Sequence, residues 1–223
     1  SLEPSLVYLY REVTEGRSDI DNLVMFDSNI SSFNRYKFSA LSQFSGYDIV
    51  EETNQLAVAL SHHHSRPKNA SQASVTLGQI LYFQPQQILD NTGSIVDSNS
   101  RRSNFVADFS YTTPHWQAVV NTQWDTESNQ IQQAYSGLRF RADQQPRRNI
   151  LNVGYNFRRK NSNFSLLTHD IDQAEFSTVN YFAKQWGLFA KYQYDIQNQR
   201  HTESLAGIEF DSCCIQLRLL FRD

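Results

Sequence analysis

Four stretches of this chain alternate strictly enough between apolar and polar residues to demand a sheet with two unlike faces. In NILNVGYNFRR (149–159), Leu151, Val153, Tyr155 and Phe157 fall on one side, and Asn152, Gly154, Asn156 and Arg158 on the other. HWQAVVNTQWD (115–125) sets Trp116, Ala118, Val120, Thr122 and Trp124 against Gln117, Asn121, Gln123 and Asp125. WGLFAKYQYD (186–195) and CIQLRLLFRD (214–223) repeat the scheme, the last with Ile215, Leu217, Leu219 and Phe221 against Gln216, Arg218 and Arg222. Successive side chains of a strand point to opposite faces, so a period of two sustained over about ten residues is a strand signal. No segment carries a sustained helical stripe.

The same pattern predicts about eleven strands, with cores near 4–10, 53–62, 71–84, 103–112, 115–125, 131–142, 148–158, 174–183, 186–195, 202–211 and 214–222. TTPH, DQQPRR, AKQW and DSC read as tight connections, whereas 11–52, 85–101 and 159–173 are long and polar. Short turns at one end and long loops at the other are the layout of an outer-membrane β-barrel. A secreted β-sandwich also alternates, but its strands usually run about five or six residues, and these run nearer ten, as a tilted membrane strand requires. Trp116 and Trp186 each follow a tight turn, and Trp124 stands further along the same face as Trp116. The spacing of Trp116 and Trp124 corresponds to about 20 Å along a tilted strand, which fits two aromatic girdles flanking an apolar band. The expected fold is therefore all-β, an antiparallel transmembrane barrel segment. An odd strand number, and a start almost directly in the strand-like SLEPSLVYLY, read as a piece of a larger barrel.

Composition limits the alternatives. The 223 residues carry a net charge of −3, the pI is near 6.1, and no basic run appears, so there is no electrostatic case for nucleic acid. No apolar run approaches the roughly twenty residues of a spanning helix. No Ser/His/Asp set converges by spacing, and no Gly-rich phosphate loop is present, so transport is favoured over catalysis and no cofactor is expected. The cluster His62-His63-His64 reads as a polar turn beside RPKN, not a metal site.

Cys213 and Cys214 are the only cysteines, and they are neighbours. Consecutive α-carbons lie about 3.8 Å apart, closer than a relaxed disulfide prefers, so the two would bond each other only through a strained ring. In extended chain they would point to opposite sides. Each would then look for its own partner, in another chain or in a part of the protein outside this segment. Two unpaired thiols in a turn is the other reading. A zinc site needs more ligands than this pair offers.

Three stretches resemble the LptD family of lipopolysaccharide-assembly proteins, also called organic solvent tolerance proteins: FSGYDIVEETNQLAVAL (44–60), SVTLGQILYF (74–83) and ESLAGIEFDSCCIQLRLLF (203–221). The vicinal cysteines in a hairpin turn are the most specific of these, and the likeness spreads over nearly all of 1–223. The resemblance implies the C-terminal part of a very large outer-membrane barrel, without the N-terminal periplasmic domain, the early strands and the last strand. It implies lipopolysaccharide as cargo, an LptE-like lipoprotein plugging the lumen, and an LptA-like periplasmic bridge that reaches the barrel through the N-terminal domain. It also implies disulfides from Cys213 and Cys214 to cysteines outside this segment, a location in the Gram-negative outer membrane, and contact with its lipid. Arg139, Arg141, Arg158, Arg218 and Arg222 fall on the polar side. They could meet lipopolysaccharide phosphates or the plug through charge-assisted hydrogen bonds, or form ladders with acids such as Glu209, Asp195 and Asp108. A generic outer-membrane porin or receptor barrel is the alternative, and cysteines reaching for a separate domain argue against it.

Overall fold

The computed structural model describes residues 1–12, 38, 52–89, 95–142, 149–160, 170–182 and 185–223. Eleven strands form one antiparallel sheet: β1 (Leu2–Arg11), β2 (Thr53–Arg66), β3 (Ser71–Tyr82), β6 (Phe105–Thr112), β7 (Trp116–Asp125), β8 (Gln130–Ala142), β9 (Asn149–Arg158), β10 (Ile171–Tyr181), β11 (Trp186–Asp195), β12 (Arg200–Asp211) and β13 (Gln216–Arg222). They follow one another across the sheet in chain order, with β1 and β13 at its edges. A separate hairpin pairs β4 (Gln86–Leu89) with β5 (Ile95–Ser98) inside the connection from β3 to β6.

Strand positions agree with the alternation, and most strands run ten residues or more. Two details differ. β4 and β5 fall within 85–101, read from sequence as loop; four-residue strands are too short to display a period. The histidines are not in a turn: His62, His63 and His64 lie in β2, opposite Val75, Ser74 and Ala73 of β3. The turn comes after them, as a 3-10 turn over Pro67–Asn69 closed by Ala70 at φ 46 and ψ 36. Proline suits that start because its fixed φ is already helical and its missing N–H would have no helical partner. Finally, 143–148, most of 11–52 and most of 159–173 fall outside the described residues, so the predicted DQQPRR turn and those two long connections do too.

Register explains the two faces. On one face Leu138, Val153, Phe176 and Tyr192 stand side by side across β8, β9, β10 and β11. All four are exposed, as are Leu60, Leu77, Phe109, Val120, Ile208 and Leu219 on the same face. A contiguous apolar surface of this extent is foreign to a water-facing sheet. On the opposite face Ser61, Thr76, Asp108, Asn121, Tyr135, Asn156, Gln173 and Asp195 form one row from β2 to β11. Their polar groups meet: Ser61 and Thr76 hydroxyls are 3.0 Å apart, Asn121 donates to Asp108 at 2.6 Å, and in the neighbouring rows Gln123 donates to Gln133 at 3.1 Å and Gln193 to Gln173 at 2.9 Å.

The polar face also carries an apolar cluster. Ala57, Ile80 and Val106 are buried there together with Phe38, and Val7, Ala59 and Tyr82 pack against them. Phe38 fits because Gly78 has no side chain; a Cβ on Gly78 would stand 2.4 Å from the phenyl ring.

The β7–β8 and β11–β12 hairpins are built alike. Trp116, Gln123, Asp125, Gly137 and Phe140 of the first recur at the same spacing as Trp186, Gln193, Asp195, Gly207 and Phe210 of the second. In both, the tryptophan packs on the phenylalanine, with ring centroids 4.5 and 4.8 Å apart. The aspartate side chain caps the turn, Asp125 by accepting from the Glu127 and Ser128 N–H groups and Asp195 from the Asn198 N–H. A non-glycine residue then takes positive φ, Asn129 at 56 and Gln199 at 50, and the register shifts at 123/124 and 193/194. A left-handed residue beside a bulge is how short hairpin loops reconcile the turn with strand twist.

Candidate functional site: the cysteine turn and the polar face

Cys213 and Cys214 sit in the four-residue turn 212–215 between β12 and β13. The Ser212 N–H donates to the Ile215 carbonyl at 2.9 Å, and the Ile215 N–H donates to Ser212 Oγ at 3.3 Å, which cinches the turn. Both thiols are exposed and free, and their sulfurs lie 3.0 Å apart. They therefore face each other and not opposite sides, because the alternation of extended chain does not hold within a turn. The shared S–H···S contact raises the pKa of Cys214 above its ordinary value, with a smaller contribution from burial. Since consecutive strands are antiparallel, this turn shares an end of the sheet with the strand ends Arg66 and Ser71, Thr112 and Trp116, Ala142 and Asn149, and Tyr181 and Trp186. The strand ends Arg11 and Thr53, Tyr82 and Phe105, Asp125 and Gln130, Arg158 and Ile171, and Asp195 and Arg200 lie at the other end.

All five predicted arginines lie on strands of the main sheet, and their partners divide them. Arg218 donates through Nε and Nη2 to one oxygen of Glu209, at 3.0 and 2.6 Å, and its guanidinium lies 5.2 Å from the Phe189 ring centroid. Arg222 pairs with Glu203 at 3.0 Å, and Lys191 holds the other oxygen of the same carboxylate. These are the acid ladders; Glu209 takes part as expected, whereas Asp195 is engaged by Arg200 at 3.8 Å and Asp108 by Asn121. Arg139 and Arg141 instead meet neutral groups, Asn152 Oδ1 at 2.8 Å and Gln117 Oε1 at 3.4 Å. Arg158 is exposed at the far end of β9, opposite Gln133 and Ile171. Lys191 stands on the side that the alternation makes polar; sequence reasoning missed its partner Glu203, which also sits at a polar-face position.

Comparison with known proteins agrees with this architecture. The family model described as LptD, LPS transport system D, matches residues 1–186. The whole chain is 27% identical to part of the LPS-assembly protein LptD of Pseudomonas aeruginosa, covering 26% of it. It is 29% identical to that of Saccharophagus degradans and 27% identical to that of Xanthomonas oryzae pv. oryzae, covering 27% of each. The chain thus spans about a quarter of the length of these relatives, and the alignments to them continue through the cysteine turn that lies beyond the family match. With the sheet, its two faces and most of its length matched, the chain belongs to the LptD family.

Proposed function

We propose that this chain is a section of an integral outer-membrane translocon that inserts lipopolysaccharide into the outer leaflet. The observation that carries the reading is the division of one continuous sheet into an exposed apolar face and a hydrogen-bonded polar face. Lipid tolerates the first and cannot satisfy the second, so the polar face belongs around an aqueous lumen. The relatives are named LPS-assembly proteins, which supplies the cargo. Unpaired backbone at the edges β1 and β13 calls for neighbouring strands in the intact barrel. An LptE-like plug would occupy the lumen, and an LptA-like bridge would deliver cargo through a periplasmic domain. Cys213 and Cys214 would tie the barrel to that domain by disulfides, in a compartment where disulfides persist.

The test uses the full-length protein in cells. Single cysteines are introduced at 85–101 and at 143–148 in a background lacking the native pair, and intact cells are treated with an impermeant thiol reagent. Labelling at 85–101 alone is expected. Labelling at 143–148 alone would reverse the orientation and remove the basis for periplasmic disulfides. Depleting the protein should halt the appearance of newly made lipopolysaccharide on the cell surface, and undiminished delivery would refute the transport reading.

A further inference from the structure

Positive charge is unevenly neutralised on the polar face. Arg218 and Arg222 are held by Glu209 and Glu203. Among the described residues, neither Arg139 nor Arg141 has a carboxylate partner. Yet both sit two residues apart on the same face of β8, where like charges repel unless something answers them. The repeated hairpins sharpen the contrast. Arg139 occupies in β8 the place that Glu209 occupies in β12. The next strand answers Glu209 with Arg218, but answers Arg139 with Asn152. Two copies of one scaffold thus end differently: one carries Arg139 and Arg141 where the other carries Glu209 and Asp211.

Those cations are held in place. Arg139 Nε donates to Asn152 Oδ1 at 2.8 Å, and Asn152 Nδ2 donates to Ser177 Oγ at 2.9 Å, which fixes the plane of the guanidinium. Among the described residues, both terminal amino groups of Arg139 are left unspent. Arg141 donates once, at 3.4 Å, to Gln117 Oε1, and its backbone N–H donates to the His115 carbonyl at 2.7 Å, anchoring the strand end. Gln117, Arg139, Asn152 and Ser177 form a single row near the end of the sheet that carries the cysteine turn. A pre-oriented guanidinium pair with free N–H forks matches the geometry of phosphoryl oxygens.

We infer that Arg139 and Arg141 form an anion subsite for a phosphoryl group of the phosphorylated glycolipid that enters at this end of the lumen. This rests on the transport reading above and names the residues that first take hold of the cargo's charge. Asn152 and Gln117 are its positioning residues.

The experiment measures retention of lipopolysaccharide by the full-length protein purified with its bound partners. Intact and enzymatically dephosphorylated lipopolysaccharide are compared, with inorganic phosphate as competitor. R139Q/R141Q is expected to weaken intact lipopolysaccharide by about tenfold or more and to leave the dephosphorylated form unchanged, as loss of charge-assisted hydrogen bonds requires. R139K/R141K keeps the charge but loses the planar fork, so it should fall between; it serves also if the glutamine pair fails to assemble. R101Q/R102Q, an equal charge change at two exposed residues between β5 and β6, should retain wild-type binding. Equal weakening of both forms, or none, would overturn the subsite while leaving the transport reading intact. Phosphate binding that matches intact lipopolysaccharide in affinity would reduce the site to an adventitious ion only. Wild-type protein that retains no lipopolysaccharide would overturn both readings together.

Discussion

Arg218 reaches across from β13 and places two nitrogens on a single oxygen of Glu209, at 3.0 and 2.6 Å. Glu209 is almost fully buried, opposite Gly187 on β11, so the carboxylate depends on this one guanidinium. Removing Arg218 should cost more than removing Glu209, because a buried anion without a partner is worse than an exposed cation without one. Arg218 is itself half exposed, which keeps the effect below that of a fully buried pair. The expected destabilisation is about 2 kcal/mol for Arg218→Ala and about 1 kcal/mol for Glu209→Gln. Reversible unfolding of the full-length barrel in vesicles checks both, and the reverse order would contradict the assignment.

The two faces predict opposite tolerance to charge. Val153 lies in the apolar row in the middle of the sheet, with Leu138 and Phe176 beside it. Val153→Arg should destabilise the folded protein in lipid by about 2–4 kcal/mol if it lies near the midplane. Asn121 is on the polar face and already bonds Asp108 at 2.6 Å, so Asn121→Arg would gain an ion pair and should be nearly neutral. Equal costs in the same folding assay would refute the assignment of faces.

How much of this was legible follows from what periodicity reports. Alternation reflects which side chains meet apolar surroundings, so it finds Leu151–Phe157 or Leu217–Phe221 without a structure. It is silent where a strand outruns the apolar band. His62, His63 and His64 continue the β2 ladder, yet both faces there are polar and the stretch resembles a turn. It is equally silent about Phe38, whose position depends on a contact between a connection and Gly78. The division of the arginines was out of reach for another reason. Arg139 and Arg218 share a face and a residue type, and only register shows that one meets Asn152 and the other Glu209. The facing of Cys213 and Cys214 was misjudged because a rule for extended chain was applied to a turn.

Close approach at glycines gives a graded prediction. A Cβ at Gly207 would stand 2.7 Å from the Leu219 carbonyl oxygen and 2.4 Å from a Leu220 methyl. The backbone oxygen cannot yield without moving β13. The three atoms nearest a Cβ at Gly154 all belong to the Glu175 side chain, with Oε1 at 2.7 Å and Cγ at 2.8 Å, and that side chain can swing away. Gly207→Ala should therefore cost about 1–3 kcal/mol, and Gly154→Ala distinctly less. Urea midpoints of the two variants in one vesicle system decide this, and a larger shift for Gly154→Ala would count against the packing described.

The cysteine pair supports a prediction on two levels. In the reduced protein the Cys214 thiol is stabilised by its contact with Cys213, so its pKa is raised and less of it is thiolate at a given pH. The thiolate is the reactive species, so Cys214 should alkylate more slowly than an ordinary exposed thiol near neutral pH. The deficit should close as pH rises through the raised pKa. Cys213→Ala removes the contact and should speed alkylation of Cys214 at pH 7–8, whereas a purely steric hindrance would slow Cys214 by the same factor at every pH. Reduced full-length protein, alkylated for timed intervals and mapped by mass spectrometry, provides the rates. The second level is the proposed covalent tie in cells. Serine at both positions should leave the barrel assembled, because neither sulfur holds a strand: the turn is closed by Ser212 and Ile215. It should nevertheless slow lipopolysaccharide delivery and weaken the permeability barrier, since the barrel would no longer be joined to its feeding domain. Either single substitution should be milder, with one tie remaining. Non-reducing electrophoresis follows the ties directly. If the double variant migrates as wild type does and delivers cargo at the wild-type rate, Cys213 and Cys214 are free turn thiols and the disulfide proposal fails.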